Sequence, residues 1–97
     1  IYVAQDRDYA EEVMQQFEEE TGITVNARYD TEADKTVGHV RRLRAEKDNP
    51  KCDVHWNNEP MHSVSLAQEG IYTPYVSTHD SKFPEAFKDA DDMWIGV

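Results

Sequence analysis

Four acids stand where one kind of sequence pattern gives way to another. Asp6 follows the apolar run Ile1-Tyr2-Val3-Ala4, Asp30 and Glu32 follow a run that ends at Tyr29, and Glu59 follows Cys52-Asp53-Val54-His55-Trp56-Asn57-Asn58. Carboxylates gathered at one place suit a hard cation, because oxygen donors replace the water it gives up. Each of these acids also precedes an amphipathic segment. A helix start offers free backbone N–H groups and the positive end of a dipole, which suit an anion. The two chemistries combine in a mixed site, with a cation on the carboxylates and a small anion or polar ligand on the amides. The plain alternative is that each acid only caps its helix, since Asp is among the commonest caps. Spacing leaves both readings open.

Other residues invite sharper chemistry. His55-x-x-x-Glu59-x-x-His62 has ligand types suited to zinc, and a metal hydrolase using Glu59 with both histidines is one rival reading. His55 belongs to a strand-like run, however, and no third close ligand is evident beside Glu59 and His62. A phosphoacceptor signalling domain is another rival, but it needs its acceptor acid at the end of the third strand, whereas Asp53 opens that strand. Cys52 precedes the same strand with no base beside it, so it is not read as a nucleophile. Trp56 ends the strand, where it either walls a ligand pocket or packs in the core. His39 reads as a helix-face residue and His79 as a loop residue.

The elements that must position these groups are legible from periodicity. Ile1–Ala4 reads as a first strand. Tyr9, Ala10, Val13, Met14 and Phe17 form one helical face, ended by Gly22 as a left-handed cap. Ile23, Val25, Ala27 and Tyr29 then alternate with polar residues, a period of two that suits an edge strand. Asp30 and Thr31 cap a second helix, whose stripe is Ala33, Val37, Val40 and Leu43 or Arg44. Cys52–Trp56 is a third strand. Pro60 opens a third helix with a stripe of Met61, Val64 and Ala67, and Gly70 ends it. Beyond it come an extended stretch from Ile71, a polar loop over 77–81, a helical turn at Pro84–Phe87 and a last strand over Met93–Val97.

Strands alternating with helices predict an α/β fold: a parallel, three-layer αβα sheet with crossover helices. An edge-like second strand gives the order 2-1-3. Ligands in such sheets bind beyond the carboxyl ends of the strands, where the connections reverse direction. The segments Gln5–Asp8, Asp30–Glu32 and Asn57–Glu59 fall there.

Charge removes several functions. Acids outnumber bases 20 to 10 over 97 residues, and the formal charge of -10 argues against nucleic acid or an anionic membrane as partner. No apolar run is long enough to span a bilayer, and one cysteine allows no internal disulfide. Both ends read as strand text with no signal peptide before them, as in a piece of a longer chain.

Three phrases carry a family resemblance: Ile1-Tyr2-Val3-Ala4-Gln5-Asp6, the stretch Phe17-Glu18-Glu19-Glu20-Thr21-Gly22-Ile23-Thr24-Val25, and Asp53-Val54-His55-Trp56-Asn57-Asn58-Glu59. Together with Glu69-Gly70-Ile71-Tyr72-Thr73-Pro74-Tyr75 and Trp94-Ile95-Gly96-Val97, they resemble the start of a bacterial extracellular solute-binding protein of an ABC transporter, ferric-iron-binding type. The resemblance implies that residues 1–97 are part of the first lobe of a two-lobed periplasmic binding protein. It implies a periplasmic or lipoprotein location, delivery of solute to a membrane permease, and no catalysis or resident cofactor. Ferric iron is the first cargo it implies, with phosphonate, thiamine or polyamine-type solutes as alternatives on the same scaffold. Asp6 stands where ferric-binding relatives often carry a His, and Asn58 where they carry a Glu, with Glu59 one residue later. Asp6 and Glu59 are therefore the expected metal ligands. Asn58 and Trp56 complete the expected wall, and Asp30, Thr31 and Thr36 form a second tier. Affinity is expected from two lobes closing on the ligand, so the chain alone should bind weakly.

Overall fold

The computed structural model describes residues 1–30 and 35–96; the side chains of Lys35 and Thr36 lie outside that description. The chain forms two compact units, Ile1–Glu59 and Pro60–Val97. The first contains β1 (Tyr2–Val3), α1 (Arg7–Thr21), β2 (Arg28–Tyr29), α2 (Lys35–Ala45) and β3 (His55–Trp56). The strands pair in parallel in the order β2-β1-β3, as the alternation of elements requires.

Register assigns the faces. Tyr2 lies opposite Arg28 and His55, and Val3 lies opposite Tyr29 and Trp56. Successive residues of a strand point to opposite sides. On the Val3 side, Val3 packs with Ala10 and Met14 of α1, flanked by Ile1, Val25, Tyr29 and Trp56. On the other side Tyr2 stacks on His39 of α2, with ring centroids 5.2 Å apart. The helices therefore cover opposite faces of one small sheet.

The strands are shorter than their apolar runs. Of Ile23–Tyr29 only Arg28 and Tyr29 pair, while Ile23 is 57% exposed. The Val25 N–H donates to the Glu18 side chain at 2.9 Å, so this part of the chain is held by α1 and leaves the ladder. The narrow sheet also limits what α1 can bury. Ala10 and Met14 are buried, but Tyr9, Val13 and Phe17 are exposed, so the five-residue stripe is only half covered. Gly22 does end α1 in the left-handed conformation, φ +71°, its N–H donating to the Glu18 carbonyl at 2.8 Å.

The buried face of α2 is His39, Val40 and Leu43; Val37 and Arg44 are exposed, and Ala33 lies outside the described residues. His39 lies on a face of α2, as expected, and that face is the buried one, where the residue is fully enclosed.

In the second unit, α3 (Pro60–Gln68) buries Leu66, while Met61 of the expected stripe is exposed. Gly70 ends the helix with φ +74°. Short 3-10 turns follow at Asp80–Lys82 and Glu85–Phe87. The strand expected over Met93–Val97 is absent among the described residues. One antiparallel bridge, Lys88 with Ile95, stands in its place, and Val97 lies outside the description. Lys88 pins this region with bonds to Asp80 at 3.0 Å and Glu85 at 2.9 Å.

Candidate functional site

The β1–α1 turn and the end of β2 border an open cleft of about 690 Å³ beyond the carboxyl ends of these strands. Asp6, Arg7, Asp8, Tyr9, Tyr29 and Asp30 line it, over a floor that includes Val3. Asp6 occupies the position before α1, but its side chain makes no capping hydrogen bond. The capping alternative thus fails for the acid at the cleft mouth. Arg7 is the cation among these residues, and it is already engaged. Its Nε is 2.7 Å from Glu11, and its guanidinium lies 4.8 Å over the Tyr29 ring. Asp6, Asp8 and Asp30 are the acids among these lining residues.

Two polar atoms in this wall lack the partners that burial normally demands. The Tyr29 hydroxyl and Asp30 Oδ2 are both buried with no hydrogen bond among the described residues. Buried polar groups in folded proteins are overwhelmingly paired, because an unpaired one costs about 1–3 kcal/mol. Burial also pushes the Tyr29 phenol above its usual range, so it stays protonated and keeps a donor available. Asp30 Oδ2 faces the α2 side, close over Gly38 and 3.9 Å from His39 Nδ1.

Of the residues expected at the site, Asp6 and Asp30 share this cleft. Thr31, Glu32 and the side chain of Thr36 lie outside the described residues. Asn58, Glu59 and Trp56 are not part of the cleft wall. Asn58 Nδ2 donates to the Ala4 carbonyl at 2.9 Å, tying the end of β1 to the segment after β3. Asn57 closes a tight turn on Glu59, accepting from its N–H at 3.1 Å and donating to its carbonyl at 2.7 Å. The place where the connections reverse, between β1 and β3, is thereby bridged, and the open space lies on the β2 side. Trp56 packs partly into the Val3 core and meets Tyr9 edge-on, with centroids 6.1 Å apart. Among the described residues, no group of three or more His, Cys, Asp or Glu side chains is arranged to hold a metal ion. Burial pushes the Cys52 thiol up, against nucleophilic use.

Behind the cleft lies a polar cluster on the α2 side of the sheet. His39 Nε2 is 3.0 Å from the Val3 carbonyl, and Nδ1 is 2.9 Å from Arg42 Nη1. A carbonyl can only accept and a guanidinium can only donate, so Nε2 carries the proton and Nδ1 accepts. Burial lowers the His39 pKa, only partly opposed by the Val3 carbonyl and by Asp30, so the ring is neutral. Asp30 Oδ2 lies 3.9 Å from Nδ1. The Tyr2 hydroxyl sits 2.7 and 2.9 Å from the two Glu46 oxygens, and His55 meets the His39 ring edge-on at 6.4 Å. Sequence reasoning missed this cluster. Its signal was the i, i+1, i+4 set His39, Val40, Leu43, which places the histidine inside the apolar stripe.

No family model, curated protein or solved structure matches the chain. No helix among the described residues is long and apolar enough to cross a membrane.

Proposed function

We propose that this chain captures a small cationic solute in the cleft beyond β1 and β2, as the first-lobe part of a solute-binding protein that serves an ABC importer. The observation that carries the reading is the set of acids Asp6, Asp8 and Asp30 lining one cleft whose lining cation, Arg7, is already engaged by Glu11. An organic ammonium of polyamine type fits best among the solutes that the family resemblance suggests. Its N–H groups donate to Asp6 and Asp30, and its charge rests against the exposed aromatic face of Tyr9. Phosphonates fit less well, because three carboxylates repel them and Arg7 is spent on Glu11. Ferric iron is the second reading, favoured by the Asp6 carboxylate that does no capping. In this proposal no covalent bond is made or broken by the protein. The solute is met outside the cytoplasm and passed to a permease.

Titration of the full chain with spermidine, Fe(III)-citrate and methylphosphonate, followed by tyrosine and tryptophan fluorescence, tests the reading. Saturable change with spermidine, abolished by Asp30→Asn, supports it. Saturation by methylphosphonate with no response to either cation overturns it, and Fe(III)-citrate alone transfers it to the second reading.

A further inference from the structure

Asp30 belongs to two neighbourhoods at once. It lines the cleft, and its Oδ2 points back to within 3.9 Å of His39 Nδ1. We propose that His39 is a proton-operated release for the cleft: a proton taken on Nδ1 draws the Asp30 carboxylate into an ion pair and withdraws it from a bound cation. The consequence for a ligand rests on the cation reading above; the His39–Asp30 device itself does not.

The geometry supplies each step. Neutral His39 uses Nε2–H on the Val3 carbonyl and offers Nδ1 to Arg42. A proton added to Nδ1 turns the Arg42 contact into two donors facing each other, so the guanidinium must leave. Arg42 is only half-buried, with its guanidinium over the Tyr2 ring at 5.5 Å, so its side chain can turn toward solvent. Asp30 Oδ2, 3.9 Å away, can then accept, and it has no hydrogen bond of its own among the described residues. The new N–H thus meets an orphaned carboxylate oxygen, and a hydrogen bond between two opposite charges replaces one between a guanidinium and a neutral ring. Gly38 makes this approach feasible, because a Cβ there would overlap the Asp30 carboxylate.

The other groups facing His39 do not offer the same exchange. Tyr2 from β1 stacks on the ring and holds Glu46 at its far end. Arg28 from β2 and Arg42 from α2 both oppose a charged His39. His55 from β3 meets the ring by its edge. Asp30 is the one acid among these residues whose field favours the imidazolium directly.

Linkage fixes the sign. If the proton lowers cation affinity, the bound cation must lower His39's affinity for protons by the same factor. Spermidine affinity should therefore fall roughly tenfold from about pH 7.5 to about pH 5, within the usual range of coupling between sites.

Two measurements on the full chain test this. First, NMR follows the His39 ring nitrogens and the Asp30 carboxyl carbon during a pH titration of the free protein. The Asp30 carbon should shift with the His39 midpoint, and Asp30→Asn should lower that midpoint. An Asp30 signal that ignores the His39 titration overturns the device, whether or not any ligand binds. Second, spermidine binding is measured at both pH values in the wild type and in His39→Gln. The variant should bind as the wild type does at about pH 7.5 and lose the fall at about pH 5. A fall of unchanged size in His39→Gln overturns the proposal. If His39→Gln fails to fold, the Asp30→Asn midpoint decides. Absence of spermidine binding together with coupled His39 and Asp30 signals refutes the cation reading and leaves the device standing.

Discussion

The carboxylate of Asp30 rests directly over Gly38 of α2, so close that any Cβ at position 38 would overlap it. The atoms in the way are the end of a side chain, so relief requires the Asp30 carboxylate to move and leaves the backbone in place. Gly38→Ala should therefore leave the fold intact, and the better helix former should add about 0.5–1 kcal/mol. The displaced carboxylate should weaken spermidine binding by several-fold. Thermal unfolding and a spermidine titration on the same variant separate the two effects.

Acid should weaken the fold through His39. Its folded-state pKa lies below the ordinary value of 6.5, because burial disfavours the charged ring. The unfolded chain then binds more protons in the window between the lowered pKa and 6.5, so stability rises with pH across that window. The contribution is complete above 6.5 and is lost as pH falls through the window. Urea unfolding at a series of pH values should show this slope in the wild type and a shallower one in His39→Gln.

Alkali should act through Tyr2. Burial first, and the contact with Glu46 second, push its phenol up to about 12 from 10.0. Its contribution is present below 10 and lost as pH rises from 10 toward 12. Tyr2→Phe leaves Glu46 without its phenol partner and should cost about 1–2 kcal/mol at neutral pH. A spectrophotometric titration of tyrosine ionisation should lose its highest step in that variant.

Asn58 separates a structural role from a ligand role. Its side chain bridges to the Ala4 carbonyl at 2.9 Å and takes no part in the cleft wall. Asn58→Ala should cost about 1 kcal/mol of stability, with spermidine affinity unchanged in the fraction that is folded. A large loss of affinity at unchanged stability would return Asn58 to the site.

Order and pairing were readable in the sequence because they follow from alternation and from the half-polar run at Ile23–Tyr29. Both glycine stops were readable because a left-handed residue after a helix favours glycine. The ends of strands were not. Pairing stops where a side chain such as Glu18 captures a backbone N–H, and no local pattern announces that contact. The site was half legible. Asp6 and Asp30 were reached from their positions after apolar runs. Asn58 resembles a ligand in the text, yet it spends its amide on a backbone carbonyl. His39 was placed on a helix face but left out of the buried stripe, because a histidine interrupts a hydrophobic count, although its spacing to Leu43 places it inside.

The most direct test of cation capture is an NMR titration of the full chain with spermidine, reading backbone amides and the Asp and Tyr side chains. Saturable shifts are expected at Asp6, Arg7, Asp8, Tyr9, Tyr29 and Asp30, which line the cleft beyond β1 and β2. Saturable shifts confined to Asn57–Glu59, or no saturable shifts in that cleft at any spermidine concentration, would contradict it.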